Sequence, residues 1–298
     1  MLRSETLTYT EEIPNCRSFT RAPGNADVAI TLDGPRLCTG VNVPELETFC
    51  FANGTACALT CRAPGKETDN EDALGLIPCG INTGVLVVAD GLGGLPSGRQ
   101  ASSTAVRQIS HTVIENCSKQ PIFREAILDG IEQANQLIID NGAGSGTTIA
   151  AIEIEGRTVR PYHVGDSAIL ITGQRGKVKH QTISHSPVGY AVEAGLIRAD
   201  DAIHNNERHL VSNIIGTREM RVEVGPWITL DQLDTLIVAT DGLFDNLHIA
   251  EIKDIIRTGQ LPSAAEHLYQ ACHERMTQYS ETLPHKPDDL GFIIFRPR

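Results

Sequence analysis

The chain has 298 residues, 41% of them hydrophobic and 21% charged, which suits a folded globular protein and excludes a disordered or collagen-like one. Its formal net charge of −12 argues against nucleic-acid or anionic-membrane partners, which need basic clusters, but leaves room for an acidic pocket filled with divalent cations. No apolar run reaches the roughly 20 residues that span a bilayer, and MLRSETLTYTEEIP has no secretory core, so a cytoplasmic protein is expected.

Residues 1–50 are rich in Pro, Gly, Thr and Asn and read as an irregular N-terminal extension with one or two edge strands. Residues 51–298 read as one domain. Thr55–Arg62 alternates small and apolar residues and predicts a strand, and Leu74–Ile77 predicts another. Val85–Ala89 is apolar and β-branched between Gly84 and Gly91, so it predicts a buried strand. That strand ends on Asp90, and glycines at 91, 93 and 94 let the backbone turn sharply and approach a ligand. Ser97–Cys117 has helical spacing, with Ala101, Ala105, Ile109 and Val113 on one face. Pro121 opens a second helix with an apolar stripe of Ile122, Ala126, Ile127, Ala134, Leu137 and Ile138.

Thr147–Glu155 and Thr158–Thr172 predict strands joined by a turn, the second carrying His163-Val164-Gly165-Asp166-Ser167. Residues 182–216 are polar, His-rich and weakly periodic, with helical pieces near Val188–Ala194 and Asp200–Ile203; such an insert within a compact domain is usually functional. Asp234–Thr240 predicts a buried strand ending on Asp241-Gly242. Helices at Ile249–Thr258 and Pro262–Gln278 and a strand at Leu290–Phe295 complete the chain. The eight cysteines include no CxxC pair and read as free buried thiols, with a disulfide within the N-terminal region as the alternative.

Carboxylates recur at strand ends. Asp90 and Asp241 each close an apolar run before Gly, Asp288 and Asp289 precede the last strand, Glu71 and Asp72 precede an early one, and Asp166 sits in a Gly-flanked bend. An Asp-Gly turn alone would be a plain turn. Several such ends brought to one rim repel one another unless cations sit among them. An all-oxygen set suits Mn2+ or Mg2+ rather than zinc.

The ordered series NEDA (70–73), ADGLGG (89–94), GTT (146–148), HVGDS (163–167), ATDGLFD (239–245) and PDD (287–289) resembles the metal-dependent protein Ser/Thr phosphatases of type 2C, particularly the bacterial branch. The resemblance covers about Thr55 to the C-terminus, with residues 182–216 matching the family's flap. It implies an α+β fold, a four-layer α-β-β-α sandwich of two packed antiparallel sheets flanked by helix pairs. It also implies a phosphoserine/phosphothreonine hydrolase working through water activated by two Mn2+ or Mg2+ ions. By resemblance, Asp90 bridges the ions, the carbonyl of Gly91 binds one, Asp241 and Asp288 complete the site, and Glu71 and Asp72 hold waters. Asp166 matches the residue for a third, weaker ion, with Asp241 or Asp245. The implied partner is a phosphoprotein, a target of a Ser/Thr kinase of the same cell, acted on by a monomer.

Several positions depart from the family pattern. An Arg that grips phosphate is replaced by Glu67, leaving Lys66 or Arg62 to supply a phosphate-binding cation. Leu92 stands where many eukaryotic members have His, Ala168 where Arg often follows GDS, Asp289 where Asn is usual and Gly291 where Thr is usual. Two other functions stay open at this level. One is a catalytically weak phosphoprotein-binding scaffold, which Glu67 favours. The other is a hydrolase of small phosphate esters, which the expectation of an open rim without a deep apolar pocket opposes.

Overall fold

The computed structural model describes residues 29–92, 97–117 and 123–298. Residues 1–28 of the extension, Gly93 and Gly94 of the glycine turn, and Pro121 and Ile122 of the second helix lie outside the described residues.

The N-terminal stretch carries more strand than the one or two edge strands expected. β1 (Ile30–Thr31), β2 (Arg36–Thr39) and β3 (Val43–Phe51) precede residue 51. β3 runs antiparallel to β4 (Gly54–Cys61) through a turn at Ala52 and Asn53, with φ of 44° and 55°. The expected boundary at residue 51 is therefore corrected: β3 is internal to one sheet and β2 edges the other. Arg36 of β2 and Glu47 of β3, 3.0 Å apart, form an ion pair between the two sheets.

β5 (Ala73–Pro78) and β6 (Thr83–Ala89) form a hairpin. β7 (Gly91–Leu92), α1 (Ser97–Cys117) and α2 (Phe123–Asp140) follow. β8 (Gly146–Thr147) pairs with β7, and β9 (Ile149–Glu155) pairs with β10 (Thr158–Val164). The single strand expected over Thr158–Thr172 is two: β11 (Ala168–Thr172) belongs to the opposite sheet. The chain crosses between sheets at Gly165, whose φ of +100° favours glycine, and a Cβ there would lie 2.6 Å from the Thr148 side chain. Gly165→Ala should therefore lower unfolding free energy by about 2–3 kcal/mol, from left-handed strain and overpacking. Urea denaturation measures it, and an unchanged midpoint would mean the crossing tolerates a side chain.

β12 (Val178–Gln181) leads into the flap, where α3 (Pro187–Glu193) and α4 (Ala199–Ala202) lie close to the two expected helical pieces. β13 (Glu223–Val224), β14 (Ile228–Thr229), β15 (Thr235–Ala239), α5 (Asp241–Phe244), α6 (Ile249–Ile256), α7 (Leu261–Thr277) and β16 (Leu290–Pro297) complete the described elements.

One sheet has the order β1-β3-β4-β16-β15-β11-β12, the other β13-β10-β9-β6-β5-β2 with β14 beside β10. Neighbours are antiparallel except for the short β1–β3 edge. Alternation along each strand splits its side chains between layers. In β6, Leu86 and Val88 meet Ile169, Val238 and Ile293 of the facing sheet. Val85, Val87 and Ala89 point the other way, against Ala105, Ile109 and Val113 of α1 and Ile127 of α2. On the far side Leu59, Ile237 and Ile294 pack on Ile252 of α6 and Leu268 of α7. This is the expected α+β sandwich of four layers, with each fully buried aliphatic side chain contributing roughly 1.5–3 kcal/mol. Leu137 departs from the expected stripe, being half exposed. Cys79 and Cys117 are joined as a disulfide with Cα atoms 5.7 Å apart, tying the end of β5 to the end of α1. This corrects the reading of the cysteines as thiols throughout, while Cys57, Cys61 and Cys272 do stay buried thiols.

Candidate active site

The buried strands deliver their terminal carboxylates to one end of the sandwich. Asp90 follows β6, and its peptide is held from both sides. Its N–H donates to Thr148 Oγ1 at 3.0 Å, and its C=O accepts from Thr148 N at 2.9 Å and Thr147 Oγ1 at 2.7 Å. Thr148 and Ser167 hydroxyls are 2.6 Å apart, so the GTT and GDS segments brace each other under Asp90. Gly91 comes too close to the backbone of Gly98 in α1 to carry a Cβ. Asp72 enters β5 fully buried and accepts from Thr240 Oγ1 at 2.8 Å. That hydroxyl also receives the N–H of Gly291 at 3.0 Å.

A cavity of about 140 Å3 is lined by Glu71, Asp90, Asp166, Asp241, Asp288 and Asp289, facing the ammonium groups of Lys66 and Lys286. Burial, then repulsion from Asp241, pushes the carboxyls of Asp288 and Asp245 up to about 6 and that of Asp166 up to about 8. Asp90 is pushed well up by burial and by Asp241 and Asp72; Asp72 is pushed up by burial and Asp289. Lys66 Nζ bridges Asp289 Oδ2 at 2.6 Å and Glu71 Oε2 at 2.9 Å. Lys286 Nζ reaches Asp241 at 2.5 Å, Asp245 at 2.8 Å and Asp288 at 3.1 Å. Glu71 Oε1 and Asp166 Oδ1 are buried without a hydrogen bond. An all-oxygen donor set with orphaned buried oxygens and mutually repelling carboxylates fits hard divalent cations.

A family model described as protein phosphatase 2C matches residues 65–280. The chain belongs to the protein phosphatase 2C family. It is 29% identical over 210 residues to protein phosphatase PhpP of Streptococcus pneumoniae serotype 2, covering 67% of this chain and 82% of the relative. The serine/threonine phosphatase of S. agalactiae superposes with a TM-score of 0.70 at 26% identity, over 82% of this chain and 99% of that one. The PstP catalytic domain in complex with two manganese ions shares the fold with a TM-score of 0.63 at 20% identity, over 81% of this chain and 96% of that one. This chain is thus a protein serine/threonine phosphatase, acting on phosphoproteins.

The phosphatase's flap is anchored through His185. Gly165 N–H donates to His185 Nδ1 at 3.1 Å, and Asn213 Nδ2 lies 2.8 Å from the same atom. With Nδ1 accepting, Nε2 carries the proton and faces Glu223 at 3.3 Å. His163 stacks on His185 with centroids 4.3 Å apart, and burial, then His185, pushes it down to about 4. The two histidines thus fix the bend that carries Asp166. A second cavity, of about 400 Å3, lies between the flap helices and α5–α6, walled by Val188, Val192, Ile203, Phe244 and Leu247. Asp166 and Asp241 line both cavities, so the expectation of an open rim without an apolar pocket is corrected.

The structure brings Asp90, Gly91, Asp241, Asp288, Glu71, Asp166 and Lys66 to one cavity, with Asp72 directly behind. Arg62 is the exception: its guanidinium donates to the carbonyls of Glu67 and Thr68 at 3.3 and 3.4 Å. It does not line the acidic cavity, so its expected phosphate-binding place is corrected. Sequence reasoning misses Lys286 and the ion-pairing role of Asp289. A lysine two residues before a ligand-type Asp was the one available signal.

Proposed function

We propose that Asp90, Asp241 and Asp288, with the Gly91 carbonyl, hold two Mn2+ or Mg2+ ions, that Glu71 and Asp72 orient water beside them, and that Lys66 receives the substrate phosphate. The convergence of six carboxylates on one cavity supports this most directly. PstP, similar in fold, is described with two manganese ions. Bound divalent ions supply positive charge against the phosphoryl oxygens and acidify water.

The protein's own residues do the rest. Thr147 and Thr148 fix the Asp90 peptide, so its carboxylate meets the ions without reorganisation. Thr240 orients Asp72. Asp289 and Glu71 hold the Lys66 ammonium at the mouth, where it can bind a phosphate oxygen as a point charge. We further infer a cytoplasmic monomer that reverses a Ser/Thr kinase of the same cell. In support, no helix among the described residues is long and apolar enough to cross a membrane.

Hydrolysis of a phosphothreonine peptide and of p-nitrophenyl phosphate, with Mn2+, Mg2+ or EDTA, tests this, together with calorimetric counting of ions. Peptide turnover that needs metal, at two tight ions per chain, is expected. Full turnover in EDTA would overturn the ion placement; ions bound without turnover would leave a phosphoprotein-binding scaffold.

A further inference from the structure

Cations from the chain itself enter one end of the acidic cluster. The Lys286 ammonium makes short contacts to Asp241, Asp245 and Asp288, of 2.5, 2.8 and 3.1 Å. Its position is built from below. The Lys286 N–H donates to Asn246 Oδ1 at 2.9 Å, and its C=O accepts from Asn246 Nδ2 at 2.8 Å. Asn246 is fully buried and also donates to the Gly242 carbonyl at 2.9 Å, beside Asp241. Pro287 follows and stiffens the chain. Asp245 is faced from its other side by Arg208 of the flap, at 3.6 Å. At the opposite end, the Asp90 carboxylate makes no ion pair or hydrogen bond among the described residues.

We propose that Lys286 is a resident cation of this site: its ammonium takes the position between Asp241, Asp245 and Asp288 that a further divalent ion would otherwise take. Ions therefore load only towards Asp90, and the site holds two. The proposal rests on the ion placement given above.

The reasons are geometric and electrostatic. A divalent ion of this class needs carboxylate oxygens at roughly 2.0–2.6 Å. Oxygens of these three residues already converge on one nitrogen at hydrogen-bonding distance. Two cations cannot share that point, and repulsion between neighbouring positive charges in a part-buried site is strong. An ammonium fixed to the backbone is present at any metal concentration and is not removed by a chelator. It gives the cluster permanent neutralisation where Asp166, with its orphaned Oδ1, shares the wall with Asp241 and Asp245. Without the lysine, four carboxylates from Asp166, Asp241, Asp245 and Asp288 would offer an oxygen cage for one more ion.

The test is the number of Mn2+ ions bound per chain, by equilibrium dialysis with electron paramagnetic resonance of the free ion, up to millimolar Mn2+. Wild type should stop at two. Lys286→Met should gain one weaker ion, and Lys286→Met with Asp245→Asn should lose it again. Lys286→Arg, which keeps the charge, should stay at two. Three ions in wild type, or the same count in wild type and Lys286→Met, would overturn the proposal; the wild-type count decides even if the methionine variant does not fold. No ions in wild type would overturn the ion placement itself, and this inference with it.

Discussion

Replacing Asp241 with asparagine should lower metal-dependent turnover of a phosphothreonine peptide by about 10^3-fold or more, the scale of several kcal/mol of lost electrostatic stabilisation. Asp241 is the carboxylate that the others feel most. It is the first neighbouring charge acting on Asp90, Asp166, Asp245 and Asp288. It also faces both cavities, as Asp166 does, and it alone of the two pairs with the Lys286 ammonium. Asparagine keeps the shape and one acceptor oxygen but removes the charge that attracts a cation. The same change relieves repulsion in the metal-free protein. Urea unfolding in EDTA should therefore show stability unchanged or raised, while Lys286 retains Asp245 and Asp288 as partners. Lost activity with retained stability separates a ligand's role from a folding defect. Turnover at the unmutated level would refute the assignment of Asp241.

The ligand-type carboxylates were legible because each ends an apolar run. A buried strand announces itself by β-branched residues, and a charge at its end has nowhere to go but the rim. Asp90 after Val85–Ala89 and Asp241 after Thr235–Ala239 are of this kind. The helices were legible by their period, although Leu137 shows that a stripe drawn too wide takes in an exposed position.

What was not legible depends on distance in the chain. Asn246 clamps Lys286 across 40 residues, and Asp289 meets Lys66 across 223. Neither partner carries a local pattern that names the other. β2 shows no apolar alternation, and its Arg36 pairs with Glu47 of β3. The sequence presents Thr158–Thr172 as one strand because the period on both sides of Gly165 is the same; only the backbone shows that the halves join different sheets. Arg62 is close to the site in the chain but its guanidinium does not line the cavity. Being next to the last residue of β4 does not fix where a long flexible side chain ends, and backbone carbonyls of the 67–68 turn hold it.

The second large effect is expected at Asp289, where the family's usual asparagine has become an acid. Its side chain is 4% exposed and accepts from Ala63 N at 2.8 Å, Glu71 N at 2.8 Å and Lys66 Nζ at 2.6 Å. One carboxylate thus pins both ends of the 63–71 loop and holds the cation proposed to bind phosphate. Asp289→Ala removes both acceptor oxygens and with them three hydrogen bonds, leaving two backbone donors and an ammonium without a partner there. The expected loss is about 3 kcal/mol in unfolding free energy, the scale of breaking a buried charged pair. KM for the peptide should rise with it, because Lys66 then rests on Glu71 alone. Asp289→Asn should fall between: its carbonyl oxygen can still take the Ala63 N–H, but its NH2 would face the Glu71 N–H and the ammonium, donor against donor. Combining Asp289→Ala with Lys66→Met closes a double-mutant cycle in which the pair should couple by about 1–3 kcal/mol. Coupling near zero, with KM unmoved in Asp289→Ala, would mean that acid and lysine act separately and that the phosphate finds its cation elsewhere.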